Sequence, residues 1–127
     1  MSGLGASALS AFVEQALSPL GMVRVRAMFG VFGVSLDGFP IGLIVGDVLY
    51  LKAEPGDAGR FEAEGLGPFV YEKDGQPVAM SYWQAPAAAH LDAGVLRQWA
   101  ATALLAAQKA RRTAPRRGPR TGLTRAW

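Results

Sequence analysis

The chain has 127 residues, of which 50% are hydrophobic, 18% are charged and none is cysteine. That length and composition suit one domain with a buried core and exclude wholesale disorder, disulfides, thiolate metal centres and thiol catalysis. The formal charge of +3 hides a division: residues 1–108 carry six basic and ten acidic side chains (net −4), and residues 109–127 carry seven basic and no acidic ones (net +7). A mildly acidic domain over 1–108 and a basic, disordered tail over 109–127 are therefore expected.

Residues 7–20 place Leu9, Phe12, Val13, Ala16, Leu17 and Leu20 at three- and four-residue spacing, which predicts a covering helix stopped at Pro19. Residues 23–27 alternate as VRVRA and form either a short strand or the lead-in to a sheet. Arg24 and Arg26 then share one face, where they can meet phosphate or an acidic partner, or simply be solvated.

Residues 28–52, MFGVFGVSLDGFPIGLIVGDVLYLK, read as three strands joined at Asp37-Gly38 and Gly46-Asp47. Both dipeptides suit two-residue hairpin loops. With two-residue loops and unbroken ladders, Phe32, Val34, Leu36, Phe39, Ile41, Leu43, Val45, Val48 and Tyr50 share one face, the one assigned to the core. Ile44, Leu49 and Leu51 fall on the other face, with Gly33 opposite Gly42. That second face suits a partner chain or a cover of loops, so Ile44, Leu49 and Leu51 are candidate partner-interface residues. Pro40 has no N–H for a ladder and marks an edge or a bulge.

A short helix follows at 57–64, capped by Asp57, anchored by Phe61 and stopped at Gly65. Residues 68–82 form a second hairpin about Asp74-Gly75, with Tyr71 opposite Val78 and Phe69 opposite Met80, a face assigned to the core. Tyr82 and Trp83 must point to opposite sides. Trp83 is a candidate partner or base-stacking residue, or packs beneath the linker that follows. Asp92 caps a last helix over 93–109 whose stripe is Leu96, Trp99, Ala100, Ala103 and Leu104. The elements predict a two-layer α+β domain, an antiparallel sheet of about five strands with covering helices in the order α-β(3)-α-β(2)-α.

Chemistry is sparse. The single histidine, His90, has no neighbour at catalytic or metal-ligand spacing and reads as a surface or capping residue. Asp37, Asp47 and Asp74 occupy turns for backbone reasons. The glycines at 30 and 33 lack the Gly-Lys-Ser/Thr ending of a phosphate loop. No residue is assigned to catalysis, a cofactor or a metal. Lys109, Arg111, Arg112, Arg116, Arg117, Arg120 and Arg125 are candidate nucleic-acid contacts, sequence-independent in kind, or else a solubilising tail. No stretch reaches the roughly 20 apolar residues of a spanning helix. The N-terminus lacks the positive region of a signal peptide, so a cytoplasmic protein without membrane contact is expected.

The order Met28-Phe29-Gly30, Gly33, Asp37-Gly38-Phe39, Leu43-Ile44, Leu49-Tyr50-Leu51-Lys52, Pro68-Phe69, Tyr71, Met80-Ser81-Tyr82, Pro86 and Trp99-Ala100 resembles the N-terminal domain of the TfoX/Sxy competence regulators over about residues 25–107. Val31 departs from the pattern, where the family has a second glycine. The resemblance implies the α-β(3)-α-β(2)-α fold, no enzymatic activity and no cofactor. It also implies a stand-alone member without the second, helical domain of the regulators. Full-length relatives look like activators of bacterial competence genes that work with the cyclic-AMP receptor protein. A regulatory or interaction domain is thus the first functional expectation, as a homodimer or with such a transcription factor, with tail-assisted nucleic-acid binding. The alternative is a small-ligand module or minor enzyme with a pocket between sheet and helices near Met28, Phe29, Tyr50 and Tyr82.

Overall fold

Three tight turns set the register of the sheet. Asp37 and Gly38 both hold positive φ (53° and 84°), as do Asp74 and Gly75 (55° and 78°), whereas at Gly46-Asp47 only the glycine does (64°). These are the backbone states that two-residue hairpin loops demand. The computed structural model describes residues 2–28 and 30–113. The elements are α1 (Ser2–Leu17), β1 (Val23–Met28), β2 (Val31–Leu36), β3 (Phe39–Val45), β4 (Val48–Lys52), α2 (Ala58–Ala63), β5 (Pro68–Lys73), β6 (Gln76–Gln84) and α3 (Ala93–Thr113). One antiparallel sheet of six strands has the order β1-β2-β3-β4-β6-β5. The fold is α+β, as expected, with VRVRA forming a strand of its own.

The helices share one side of this sheet. Leu9, Val13, Ala16 and Leu17 of α1 and Leu96, Ala100, Ala103 and Ala107 of α3 form a single core with Val34, Leu36, Ile41, Ile44, Leu49 and Leu51 of the strands. On the same side Phe61 of α2 meets Trp99 at 5.1 Å and Trp83 at 5.6 Å between ring centroids. Arg97 of α3 donates to the Ala16 carbonyl at 3.0 Å, giving a cation to one of the unsatisfied carbonyls at the end of α1. Asp92 caps α3 through the Val95 N–H at 3.1 Å, and Gly65 (φ 76°) ends α2.

The expected division of the sheet faces is corrected by one residue. Leu36 pairs with Phe39 and Ser35 with Pro40, but Val34 then pairs with Gly42, so Ile41 is a bulge without a partner on β2. A bulge adds one residue to one strand and inverts the alternation beyond it. Ile44, Leu49 and Leu51 therefore turn inward, at 0%, 0% and 1% exposure, and Leu43, Val45, Val48 and Tyr50 turn outward, Leu43 still buried at 5% among its neighbours on that face. The inner row runs Val25, Val34, Gly42, Leu51, Trp83, and the outer row runs Arg26, Gly33, Leu43, Tyr50, Gln84. Pro40 stands beside the bulge, as a residue without an N–H should.

The second hairpin is also corrected. Tyr71 does oppose Val78, but β4 pairs only with Tyr82, Trp83 and Gln84 of β6, so the distal half of the hairpin projects past the sheet. Tyr71 is consequently exposed rather than part of the core, as is its neighbour Val70, whereas Tyr82 is buried. At the other end of the chain α3 continues through Thr113, past the boundary at 108 that composition suggests.

Candidate nucleic-acid interface

With all three helices on the inner side, the outer sheet face is uncovered by any of them. Arg24 lies opposite Ser35 and Arg26 opposite Gly33, so both guanidinium groups belong to that face, and both residues are exposed. They stand two residues apart on one strand, about 6.6 Å along it. Among the described residues neither is ion-paired. A shallow hollow of about 210 Å³ opens between them, lined also by Ser35, Gly38 and Pro40. Further along the face Tyr50 meets Phe69 edge-on at 5.1 Å, so aromatic and basic groups share the surface.

The end of α3 arrives at the same corner. Arg111 donates to the Gly38 carbonyl at 3.0 Å and stacks on the Phe39 ring at 4.2 Å. Gly38 thus both holds Arg111 and lines the arginine hollow. Lys109, two residues earlier, forms an ion pair with Glu54 at 3.1 Å. Two of the seven candidate cations are therefore tied to the domain. Arg112 belongs to α3, its side chain lying outside the described residues, as do Arg116, Arg117, Arg120 and Arg125 altogether.

The other sequence candidates go elsewhere. Ile44, Leu49 and Leu51 form core rather than a partner surface, because the bulge turns them inward. Trp83 is half-buried against Phe61, in the inner row. His90 is half-buried, and its ring bonds the backbone of Leu49 and Pro86. Met28 and Tyr50 lie on β1 and β4, with two strands between them, and Phe29 is outside the described residues.

The hollow that does open between sheet and helices is lined by Lys52, Ala53, Glu54 and Ser81 from the strand side and by Ala106, Lys109 and Ala110 from α3, and encloses about 350 Å³. Lys52 Nζ donates to Ser81 Oγ at 2.7 Å and lies 5.2 Å from the centre of the Tyr82 ring. Burial lowers the Lys52 pKa and pushes the Tyr82 hydroxyl up to about 12, each by disfavouring the charged form. Reading the sequence alone misses this cluster. Lys52 and Ser81 stand in LYLK and MSYW, and only the pairing of β4 with β6 brings those segments together. Among the described residues no group of three or more His, Asp or Glu could hold a metal ion, and no helix is long and apolar enough to cross a membrane.

Residues 15–107 match the family model of the TfoX N-terminal domain. The chain belongs to the TfoX N-terminal domain family. That match spans every strand and the greater part of α3. The TfoX N-terminal family is not a known enzyme family. No curated protein matches the chain.

Proposed function

We propose that this TfoX N-terminal domain is a non-enzymatic, cytoplasmic regulatory domain that contacts nucleic acid through the outer sheet face and the basic C-terminal segment together. The observation that carries this reading is the convergence at Gly38 of the Arg24–Arg26 hollow and the Arg111 end of α3. Unpaired guanidinium groups on an open face attract phosphate, and the sequence that follows Arg111 carries Arg112, Arg116, Arg117, Arg120 and Arg125. The contacts are with the backbone of the nucleic acid, since among the described residues no recognition helix accompanies them, so promoter choice falls to a protein partner. A second copy of the chain and a transcription factor of the cyclic-AMP receptor type are the two partners in view.

The test is a titration of duplex DNA at several salt concentrations. It compares the full chain, a chain ending at Thr113, and Arg24→Gln/Arg26→Gln. Each lost phosphate contact flattens the plot of log affinity against log salt by about 0.9. The double substitution is expected to flatten it by about 1.8, and truncation at Thr113 to flatten it further. A slope unchanged by the double substitution removes the sheet face from the interface. No binding by the full chain overturns the reading and leaves a domain that works through protein contacts alone.

A further inference from the structure

Lys52 is a half-buried ammonium without a counter-charge: among the described residues it has no ion-paired carboxylate, and its resolved partners are the Ser81 hydroxyl and the Tyr82 ring. Neither neutralises it, and burial accordingly makes its charged form less favourable. Ser81 Oγ accepts from Lys52 and keeps its own proton to donate. The second cation at the hollow, Lys109, is matched by Glu54 at 3.1 Å, so the site holds one uncompensated positive charge. The remaining walls are apolar, from Ala53, Pro55, Ala106 and Ala110. A neighbouring hollow of about 260 Å³, reaching Met80 and Trp83, shares Ser81 with the first and extends the apolar surface.

We propose that this hollow binds a small aliphatic monocarboxylate. Its carboxylate takes one hydrogen bond from Lys52 Nζ and one from the Ser81 hydroxyl, and its alkyl chain lies along the alanines of α3. One uncompensated cation matches one negative charge. A phosphate dianion would bring a second charge against the Glu54 carboxylate, and a neutral alcohol would leave the ammonium unmatched. The volume of about 350 Å³ falls at the small end of ligand pockets. The site uses no residue of the arginine hollow, so it stands or falls independently of nucleic-acid binding.

The experiment follows the backbone amide NMR signals of the full chain during titration with hexanoate, with hexan-1-ol and inorganic phosphate titrated in parallel. Hexanoate is expected to shift the signals of Lys52, Ala53, Ser81 and Ala106 saturably in the millimolar range, and neither comparison compound to do so as tightly. Lys52→Met keeps the length and apolar stem without the charge. It should weaken hexanoate about tenfold, as loss of a charge-assisted hydrogen bond implies. Ser81→Ala should weaken it severalfold, and decides the matter if Lys52→Met does not fold. Absence of saturable shifts at these residues, undiminished binding by the substituted chains, or tighter binding of phosphate or hexan-1-ol overturns the proposal.

Discussion

His90 completes the sheet at Leu49. Its Nε2 accepts the Leu49 N–H at 2.9 Å, and the Leu49 carbonyl accepts the Ala85 N–H at 2.8 Å. Leu49 pairs with Ile44 on one side; on the other β6 ends at Gln84, and Ala85 beyond it bonds the Leu49 carbonyl while the Leu49 N–H goes to the ring. A ring forty-one positions along the chain supplies the acceptor. Nδ1 lies 3.0 Å from the Pro86 carbonyl, which can only accept, so the proton sits on Nδ1 and Nε2 is left to accept.

Replacing His90 with Ala should therefore leave the Leu49 N–H unpaired and cost about 1–3 kcal/mol of stability. Equilibrium urea denaturation reads the cost, and hydrogen exchange at the Leu49 amide should quicken in parallel. A substituted chain as stable as the parent would mean that water replaces the ring without loss.

Gly42 is required by a close approach. A Cβ built there lies 2.9 Å from the Tyr50 carbonyl oxygen, which belongs to backbone and cannot swing away. Gly42→Ala should push β3 and β4 apart and destabilise the domain by about 1–3 kcal/mol. Thermal unfolding followed by circular dichroism measures it, with Gly56→Ala, where a Cβ has open space, as the neutral comparison.

Ile44 distinguishes the two assignments of the sheet faces. As a fully buried residue of the inner face it should cost about 2–5 kcal/mol when replaced by Ala. Val48→Ala, on the outer face, should cost well under half of that. Equal costs in chemical denaturation would contradict the bulge.

Tyr82 makes stability depend on alkaline pH. Its hydroxyl ionises near 10 in the unfolded chain and at about 12 in the folded one. The stabilising difference is fully present below pH 10 and is lost as pH rises through 12, because the unfolded state ionises first. The two-unit gap corresponds to roughly 2–3 kcal/mol. Tyrosinate absorbance of the native protein should show a late step that Tyr82→Phe removes, and the substituted chain should lose less stability between neutral and alkaline pH.

Much of the architecture was legible in local chemistry. The Asp-Gly pairs at 37 and 74 and the Gly-Asp pair at 46 fixed the hairpins because positive φ is a property of a dipeptide. The helical stripe from Leu9 to Leu17 needed nothing beyond its own spacing. The inner and outer faces were not legible, because strict alternation contains no mark for the extra residue at Ile41; Pro40 hinted at an irregularity without saying which side it would favour. The candidate sites divided in the same way. Charge asymmetry is visible in a string of letters, so the basic segment stood out. The corner at Gly38 and the Lys52–Ser81 contact arise from strand and helix neighbours far apart in sequence, and so does the link from His90 to Leu49.

The bulge at Ile41 gives β3 one residue more than its pairing with β2 requires. Deleting Ile41 would remove the bulge but leave Val34 opposite Gly42, so every later position on β3 and β4 would keep its face. Leu43 and Tyr50 would stay outward, and Ile44, Leu49 and Leu51 would stay in the core with α1 and α3. Homologous domains of this design should thus be able to lose one residue between Asp37-Gly38 and Gly46-Asp47 without exchanging their sheet faces, a tolerance written in the count of residues rather than in their identity.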